Sequence, residues 1–271
     1  MQSDWSFEGK RVVVTGCFSG MGEAVAREIL RLGGEVHGID IKPSAVPLAS
    51  FTQVDLRDPA SIDAAVASIG GEIDNLYNCA GLPQTFPALD VMKVNFLGLR
   101  HLTESWLPRI RKGGAIVNIS SLAGMGYMQQ LPVLKEFLAI EGFAAGLEWA
   151  EQNPDKITDG YGFSKAALNA YTNIKAIPFI GQGVRINSTM PSTTATPMLP
   201  DFVKVAGQEV LDFFAQATGG FATAEDQALP VVFLGTGAAR FINGVNIAVD
   251  GGFAGGVMTG VIDMSKVPAR H

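Results

Sequence analysis

The period of the apolar pattern switches repeatedly along the chain. Residues 11–14, Arg-Val-Val-Val, form a β-branched run of the kind that fills a buried strand. After the turn at 15–22, Ala24, Val25, Ile29 and Leu32 recur at helical spacing and stop at Gly33-Gly34. Strand-like runs return at 36–39, 51–54, 76–78, 115–119, 184–187 and 245–249, with helical patterns between them. Asp58-Pro59 predicts a helix start, with a capping carboxylate and then proline at the first helical position. Seven strands alternating with helices predict an α/β fold, a doubly wound parallel seven-stranded sheet of Rossmann type with helices on both faces. No repeat or low-complexity linker interrupts it, so residues 1–271 are expected to form a single domain.

Two segments depart from the rhythm. Residues 126–160 form a long insert whose stretch 133–150 carries Leu134, Phe137, Leu138, Phe143, Leu147 and Trp149. It predicts a helix or helical pair with an apolar side, either a wall over a binding site or a contact surface. Residues 196–222 carry Met198, Leu199, Phe202, Val205, Leu211, Phe213 and Phe214. They are either the core of two short helices or the apolar lining of a pocket. The tail from 254 to 271, rich in Gly, Met and Val, either folds over a site or crosses to a partner.

Composition narrows the function classes. A 47% hydrophobic and 17% charged chain is far from a disordered composition and holds enough apolar material for a large core. The net charge of −6, with no Lys/Arg-rich run, argues against a nucleic-acid partner. No run of apolar residues is long enough to span a membrane, and residues 1–6 do not read as a signal peptide, so a cytoplasmic protein is the expectation. Cys17 and Cys79 suggest small packing residues rather than a disulfide framework. His37, His101 and His271 are too scattered for a metal site, and none is expected.

Candidate chemistry begins at the first turn. Gly16, Gly20 and Gly22 lie where a strand becomes a helix, so the backbone can approach a pyrophosphate at a helix N-terminus. Asp40 ends the second strand, where a carboxylate accepts hydrogen bonds from ribose hydroxyls and repels a 2′-phosphate. That favours NAD over NADP, although Lys42 adds a positive charge two residues on. Asp55 ends the third strand on the expected adenine side. Further along, Tyr161 and Lys165 are four apart and share a helix face, an arrangement in which the ammonium is expected to lower the phenol from its usual value near 10. Tyr171 and Lys175 repeat the spacing, but ten residues rotate the face by about 80°, so one site cannot use both pairs.

Taken in order, these motifs resemble the short-chain dehydrogenase/reductase family from residue 10 to about 253. The matches are Thr15-Gly16 with Gly20-Met21-Gly22, Asn78-Cys79-Ala80-Gly81, Asn95, Ser120-Ser121, Tyr161-Gly-Phe-Ser-Lys165, Arg185-Ile186-Asn187, Pro191-Ser192 with Thr196-Pro197, and Asp250-Gly251-Gly252. Cys79 and Ser192 depart from the family's usual Asn and Gly. The resemblance implies a catalytic set of Asn95, Ser121, Tyr161 and Lys165. Tyr161 would act as acid/base, Lys165 would tune it and hold the nicotinamide ribose, Ser121 would hold the substrate oxygen, and Asn95 would support a relay water. It also implies cofactor contacts from Gly16, Phe18, Ser19, Gly20, Met21, Asp40, Ile41, Asp55, Leu56, Asn78, Ala80, Gly81, Tyr161, Lys165, Pro191, Thr194 and Thr196. The 40-residue spacing from Ser121 to Tyr161 is similar to the 3α-hydroxysteroid dehydrogenase/carbonyl reductase branch, which includes coniferyl-alcohol dehydrogenases. In that branch the insert covers the usual four-helix dimer contact, which implies a homodimer through roughly 224–249 instead.

The expected activity is NAD-dependent interconversion of an alcohol and a carbonyl on an apolar, fairly bulky small molecule such as a steroid, terpenoid or aromatic alcohol. A cis-dihydrodiol dehydrogenase is a second enzymatic reading. A β-ketoacyl-carrier reductase, which should prefer NADPH and carry basic residues, fits Asp40 and the acidic balance poorly. A non-catalytic NAD sensor is the reading from another class, and retention of the tyrosine argues against it.

Overall fold

The computed structural model describes residues 4–268. Its centre is one parallel sheet of β1 (Arg11–Thr15), β2 (Glu35–Asp40), β3 (Ser50–Gln53), β4 (Ile73–Asn78), β5 (Ile110–Ile119), β6 (Arg185–Pro191) and β9 (Asn246–Val249), in the order β3-β2-β1-β4-β5-β6-β9. This is the expected single-domain Rossmann-type fold. The connection order reverses between β1 and β4, which pair in register from Val12↔Asn75 to Thr15↔Asn78. A crevice therefore opens beyond their C-terminal ends, where ligands of such sheets bind.

All seven expected strands are present, and several, β4, β5 and β6 most of all, run longer than their apolar runs. β6 continues past the expected end at Asn187 through Ser188 and Thr189, which are fully buried. The Ser188 hydroxyl donates to Asn246 Oδ1 at 2.5 Å across to β9, so the polar residues meet partners inside the sheet. A second, two-residue ladder of β7 (Thr194–Ala195) and β8 (Ala222–Thr223) was not legible in the pattern. It ties together the two ends of the 196–222 segment.

The helices are α1 (Gly20–Arg31), α2 (Pro59–Ile69), α3 (Ala88–Met92), α4 (Leu99–Trp106), α5 (Leu131–Leu138), α6 (Phe143–Gln152), α7 (Pro154–Ile157), α8 (Tyr161–Ile180), α9 (Leu199–Ala206), α10 (Gln208–Thr218), α11 (Ala224–Gly235) and α12 (Phe253–Met258). Asp58 caps α2 as expected, accepting from the Ala60 amide at 2.9 Å ahead of Pro59. Among the described residues no helix is long and apolar enough to cross a membrane.

The insert is core rather than lid. Phe137 packs with its ring centroid 5.3 Å from Phe96, 4.8 Å from Trp149 and 5.6 Å from Phe163. Phe96 and Phe163 belong to the segments that carry Asn95 and Tyr161, so α5 and α6 buttress both from behind. No residue from 126 to 158 lines the main cleft. Phe137→Ala is accordingly expected to lower stability in urea unfolding by about 3–5 kcal/mol, the usual effect of emptying a buried aromatic site. A loss below about 1 kcal/mol would mean that the insert is only an appendage.

Candidate active site

The β1–α1 turn forms one end of a cleft of about 910 Å³. Gly16 has φ +71°, and a Cβ there would sit 2.7 Å from the Ala80 amide nitrogen, so only glycine lets β1 and β4 close at the switch point. A Cβ on Gly22 would overlap the Gly16 carbonyl, which fixes how tightly α1 follows the turn. Ser19, the α1 N-cap, makes no side-chain cap hydrogen bond and lines the cleft. Asp40 closes β2 there, accepting from the Phe18 amide and the Lys42 amide, both at 3.0 Å.

Expected contacts gather along this cleft. Gly16, Phe18, Ser19, Gly20, Met21, Asp40, Ile41, Asp55, Leu56, Ala80, Gly81, Ser121, Tyr161, Pro191, Thr194 and Thr196 all line it. Asp55 is already gripped by Arg57, with Nη2 at 2.7 Å, and that hydrogen bond holds its carboxyl below the usual range. Ser192 replaces the family's glycine without backbone strain, because Thr158 is the only described non-glycine residue with positive φ.

Asn78 is a correction. It is 1% exposed and turned into the sheet, where its Nδ2 donates to Asn118 Oδ1 at 2.8 Å and Thr103 Oγ1 at 3.0 Å. Asn118 in turn donates to Thr172 at 3.1 Å, making a buried polar chain from α4 to α8. Asn78 thus holds the sheet to its helices and does not line the cleft.

Asn95 and Lys165 also lie behind the cleft wall. Asn95 sits in a π-helical turn, Lys93–Gly98, inserted between α3 and α4. Such turns are frequent at functional sites because they reorient one side chain. Here the Asn95 amide accepts from Leu82 N at 2.7 Å and donates to Leu82 O at 2.9 Å, fixing the turn after β4. Lys165 Nζ donates to the Ile119 carbonyl at 2.9 Å. A Cβ on Gly81 would lie 3.3 Å from Asn95 Oδ1 and 3.8 Å from Lys165 Nζ, so the two side chains converge under that glycine.

Ser120 and Ser121 separate cleanly. Ser120 is buried and donates to the Lys165 carbonyl at 3.1 Å. Ser121 caps the short helical turn that follows β5, accepting from the Ala123 amide at 3.1 Å, and stands beside the Tyr161 phenol, where it favours the phenolate. Tyr171 is fully buried against Glu104, which removes the alternative pair.

The electrostatics differ from the expectation in one respect. Burial pushes the Tyr161 phenol up to about 12, with the Ser121 hydroxyl pulling against it and the Asp159 charge adding to the rise. The expected lowering by Lys165 does not prevail. Its nitrogen lies 5.8 Å from the ring centroid, and burial pushes the ammonium itself down to about 8.

Several cleft residues escaped the sequence reading. Asp159 Oδ1 accepts from the amides of Tyr161 (3.0 Å) and Gly162 (3.2 Å), a capping pattern foreshadowed by the Asp-Gly-Tyr sequence. Phe253, not singled out in the sequence, packs on Phe214 at 5.0 Å, and Phe202 of the 196–222 segment meets the Tyr161 ring edge-on at 5.6 Å. Of the 196–222 segment, Met198, Phe202, Leu211 and Phe214 line the cleft, whereas Leu199, Val205 and Phe213 do not. The histidines serve locally: His37 bonds Ser50 and Glu35, and His101 bonds Asp63. His271 lies outside the described residues.

Comparison with known proteins agrees with this geometry. Residues 10–133 match the short chain dehydrogenase family and residues 150–254 match a family described as enoyl-(acyl carrier protein) reductase. The unmatched stretch between them falls in the insert. The chain is 39% identical to a coniferyl-alcohol dehydrogenase from Pseudomonas sp. (strain HR199 / DSM 7063), covering 90% of this chain and 96% of that protein. It is 31% identical to the 3-alpha-hydroxysteroid dehydrogenase/carbonyl reductase of Comamonas testosteroni, covering 89% and 95%. Among solved structures, a 3-alpha-hydroxysteroid dehydrogenase from Pseudomonas sp. B-0831 complexed with NADH superposes with a TM-score of 0.79 at 29% identity, covering 93% of this chain and 99% of that one. With a parallel seven-stranded sheet, a glycine turn at its switch point and Tyr161 four residues ahead of Lys165, the chain belongs to the short-chain dehydrogenase/reductase family, as an oxidoreductase acting on CH–OH groups with a nicotinamide dinucleotide.

Proposed function

We propose that the protein interconverts an alcohol and a carbonyl on an apolar, fairly bulky molecule, an aryl or steroid-like alcohol, with NAD in preference to NADP. The observation that carries this is the position of Tyr161, beside Ser121, in a cleft with a polar glycine-turn end and an aromatic end. The residues fit the dinucleotide. The first turn of α1 presents amides that Ser19 leaves uncapped, and Asp40 stands where ribose hydroxyls need an acceptor. When bound, the nicotinamide ring gives or accepts the hydride.

The protein's own residues manage orientation and the proton. The Ser121 hydroxyl and the Tyr161 phenol both reach the substrate oxygen. The phenol donates its proton there during carbonyl reduction, and the phenolate accepts one during alcohol oxidation. Lys165 has used one of its N–H groups on Ile119, and the rest remain to hold the cofactor ribose and stabilise the phenolate. Asn95 keeps the Gly81–Leu82 turn in place. The apolar walls exclude water. Similarity to the coniferyl-alcohol and 3-alpha-hydroxysteroid dehydrogenases supports a cyclic, apolar substrate. Self-association through 224–249 is part of the same reading. Within that range Leu229 of α11 is 56% exposed and Phe241, in the connection leading to the edge strand β9, is 100% exposed; a monomeric mass at micromolar concentration would overturn this reading.

The direct test is NADH formation with steroidal, terpenoid, aryl and diol alcohols, beside NADP. Turnover with NAD is expected, and Tyr161→Phe should lower kcat by about 10²–10⁴-fold. Equal rates in that variant would remove Tyr161 from the chemistry. Asp40→Ala should reduce the NAD-over-NADP ratio of kcat/KM by at least about tenfold, since a good charge-assisted hydrogen bond is worth about that much.

The pH dependence follows from the two buried groups. A phenol pushed up to about 12 must lose its proton for alcohol oxidation, so kcat/KM in that direction should rise with pH. Carbonyl reduction needs the protonated phenol, present below that value, and should fall only as Lys165 loses its charge above about 8. Flat profiles in both directions between about pH 6 and 10 would contradict this assignment.

A further inference from the structure

Beyond Tyr161 the cleft is walled by Leu82, Phe86, Met198, Phe202, Leu211 and Phe214. Against that lining stands one charged side chain that the proposed chemistry does not use, Asp159, on the solvent-exposed rim of the cleft. The other charged residues along the cleft are Asp40, Lys42, Asp55 and Arg57, which follow or end β2 and β3. The strand order puts β2 three strands from β5, about 14 Å at the usual spacing, so those charges sit at the dinucleotide end.

Asp159 is held where it is. Its Oδ1 accepts from two amides at the start of α8, and the residues on either side have positive φ, Thr158 at +49° and Gly160 at +75°. A Cβ on Gly160 would overlap the Ala88 carbonyl, which wedges this turn against α3. The Oδ2 atom takes part in none of these bonds. The carboxylate charge is felt at the Tyr161 phenol, the atom that meets the substrate oxygen.

We infer that Asp159 is a charge filter of the substrate pocket, selecting neutral or cationic alcohols and carbonyls against molecules of the same shape that carry a carboxylate. The inference rests on the reading of the cleft given above. A substrate carboxylate entering between apolar walls would lose water and meet a like charge. The excluded class includes the carboxylic acid one oxidation level above an aldehyde product. Such an acid would otherwise compete for the same walls, so the filter also limits inhibition by the next compound in an oxidation series.

The test uses three analogues with the purified full-length protein and NAD: 4-(hydroxymethyl)benzoate, its methyl ester, and 4-(aminomethyl)benzyl alcohol. Asp159→Asn and Asp159→Ser both retain an acceptor oxygen for the two amides of α8. In each, the acid-to-ester ratio of kcat/KM should rise about tenfold over wild type, while the amine-to-ester ratio falls. A disturbed helix start would shift all three substrates together and leave both ratios where they were, and that result overturns the filter. Wild type that oxidises the ester and the acid equally well also overturns it. Failure of wild type on all three alcohols would instead count against the aryl-alcohol reading of the site, and the filter would fall with it.

Discussion

A buried ammonium without an anionic partner organises this molecule. Lys165 is 4% exposed, forms no ion pair among the described residues, and rests on the Ile119 carbonyl at the end of β5. The bond is returned one residue on, where Ser120 donates to the Lys165 carbonyl. Together they lock α8 to the C-terminal end of the sheet, and so place Tyr161 one helical turn away beside Ser121. A cation in such a place is costly to bury, and its affinity for its proton drops accordingly. Folding alone would be served better by an apolar residue. Retaining a charge there makes sense where a bound anion or a developing phenolate will meet it.

Everything behind that lock serves to stiffen it. Phe163, two residues before Lys165, packs with Phe137 and Trp149 of the insert, and Phe96, next to Asn95, packs with Phe137. Two side chains that converge under Gly81 therefore share one aromatic cluster as backing. The polar chain Thr103–Asn78–Asn118–Thr172 crosses the sheet interior in the same region. A buried chain of hydrogen bonds of this kind restricts the packing, although Asn78 Oδ1 has no partner within it. The insert is thus an extension of the core behind α8 and the Asn95 turn, outside the cleft lining.

The strands and the glycine turn were legible because they depend on local chemistry: β-branched runs for buried parallel strands, and a backbone that must pass close to another. That Tyr161, Ser121 and the glycine turn share one cleft followed from ordered motifs. Three features were not legible, each for a nonlocal reason. Asn78 looked like a ligand contact, but its partners Asn118 and Thr103 are 40 and 25 residues away in sequence. The extension of β6 through Ser188 and Thr189 was not legible, because the strand that pairs with them, β9, lies across the sheet. The tuning of Tyr161 was read from its spacing to Lys165 alone, whereas burial, which spacing does not report, sets the direction.

The backbone preceding α8 carries the remaining cost. Thr158 is β-branched and has φ +49° with ψ −109°, a combination that disfavours such residues. It lies where α7 must stop and α8 must begin with Tyr161 facing the cleft. Gly160 presses against α3 and Asp159 ties the new helix start, so the strained residue is held from its C-terminal side. The same turn that ends the insert therefore sets the direction of the Tyr161 side chain and leaves a carboxylate on the cleft wall. In a fold shared with many relatives, this is where the long insert acts on the chemistry, through the geometry of its last three residues rather than by covering the site.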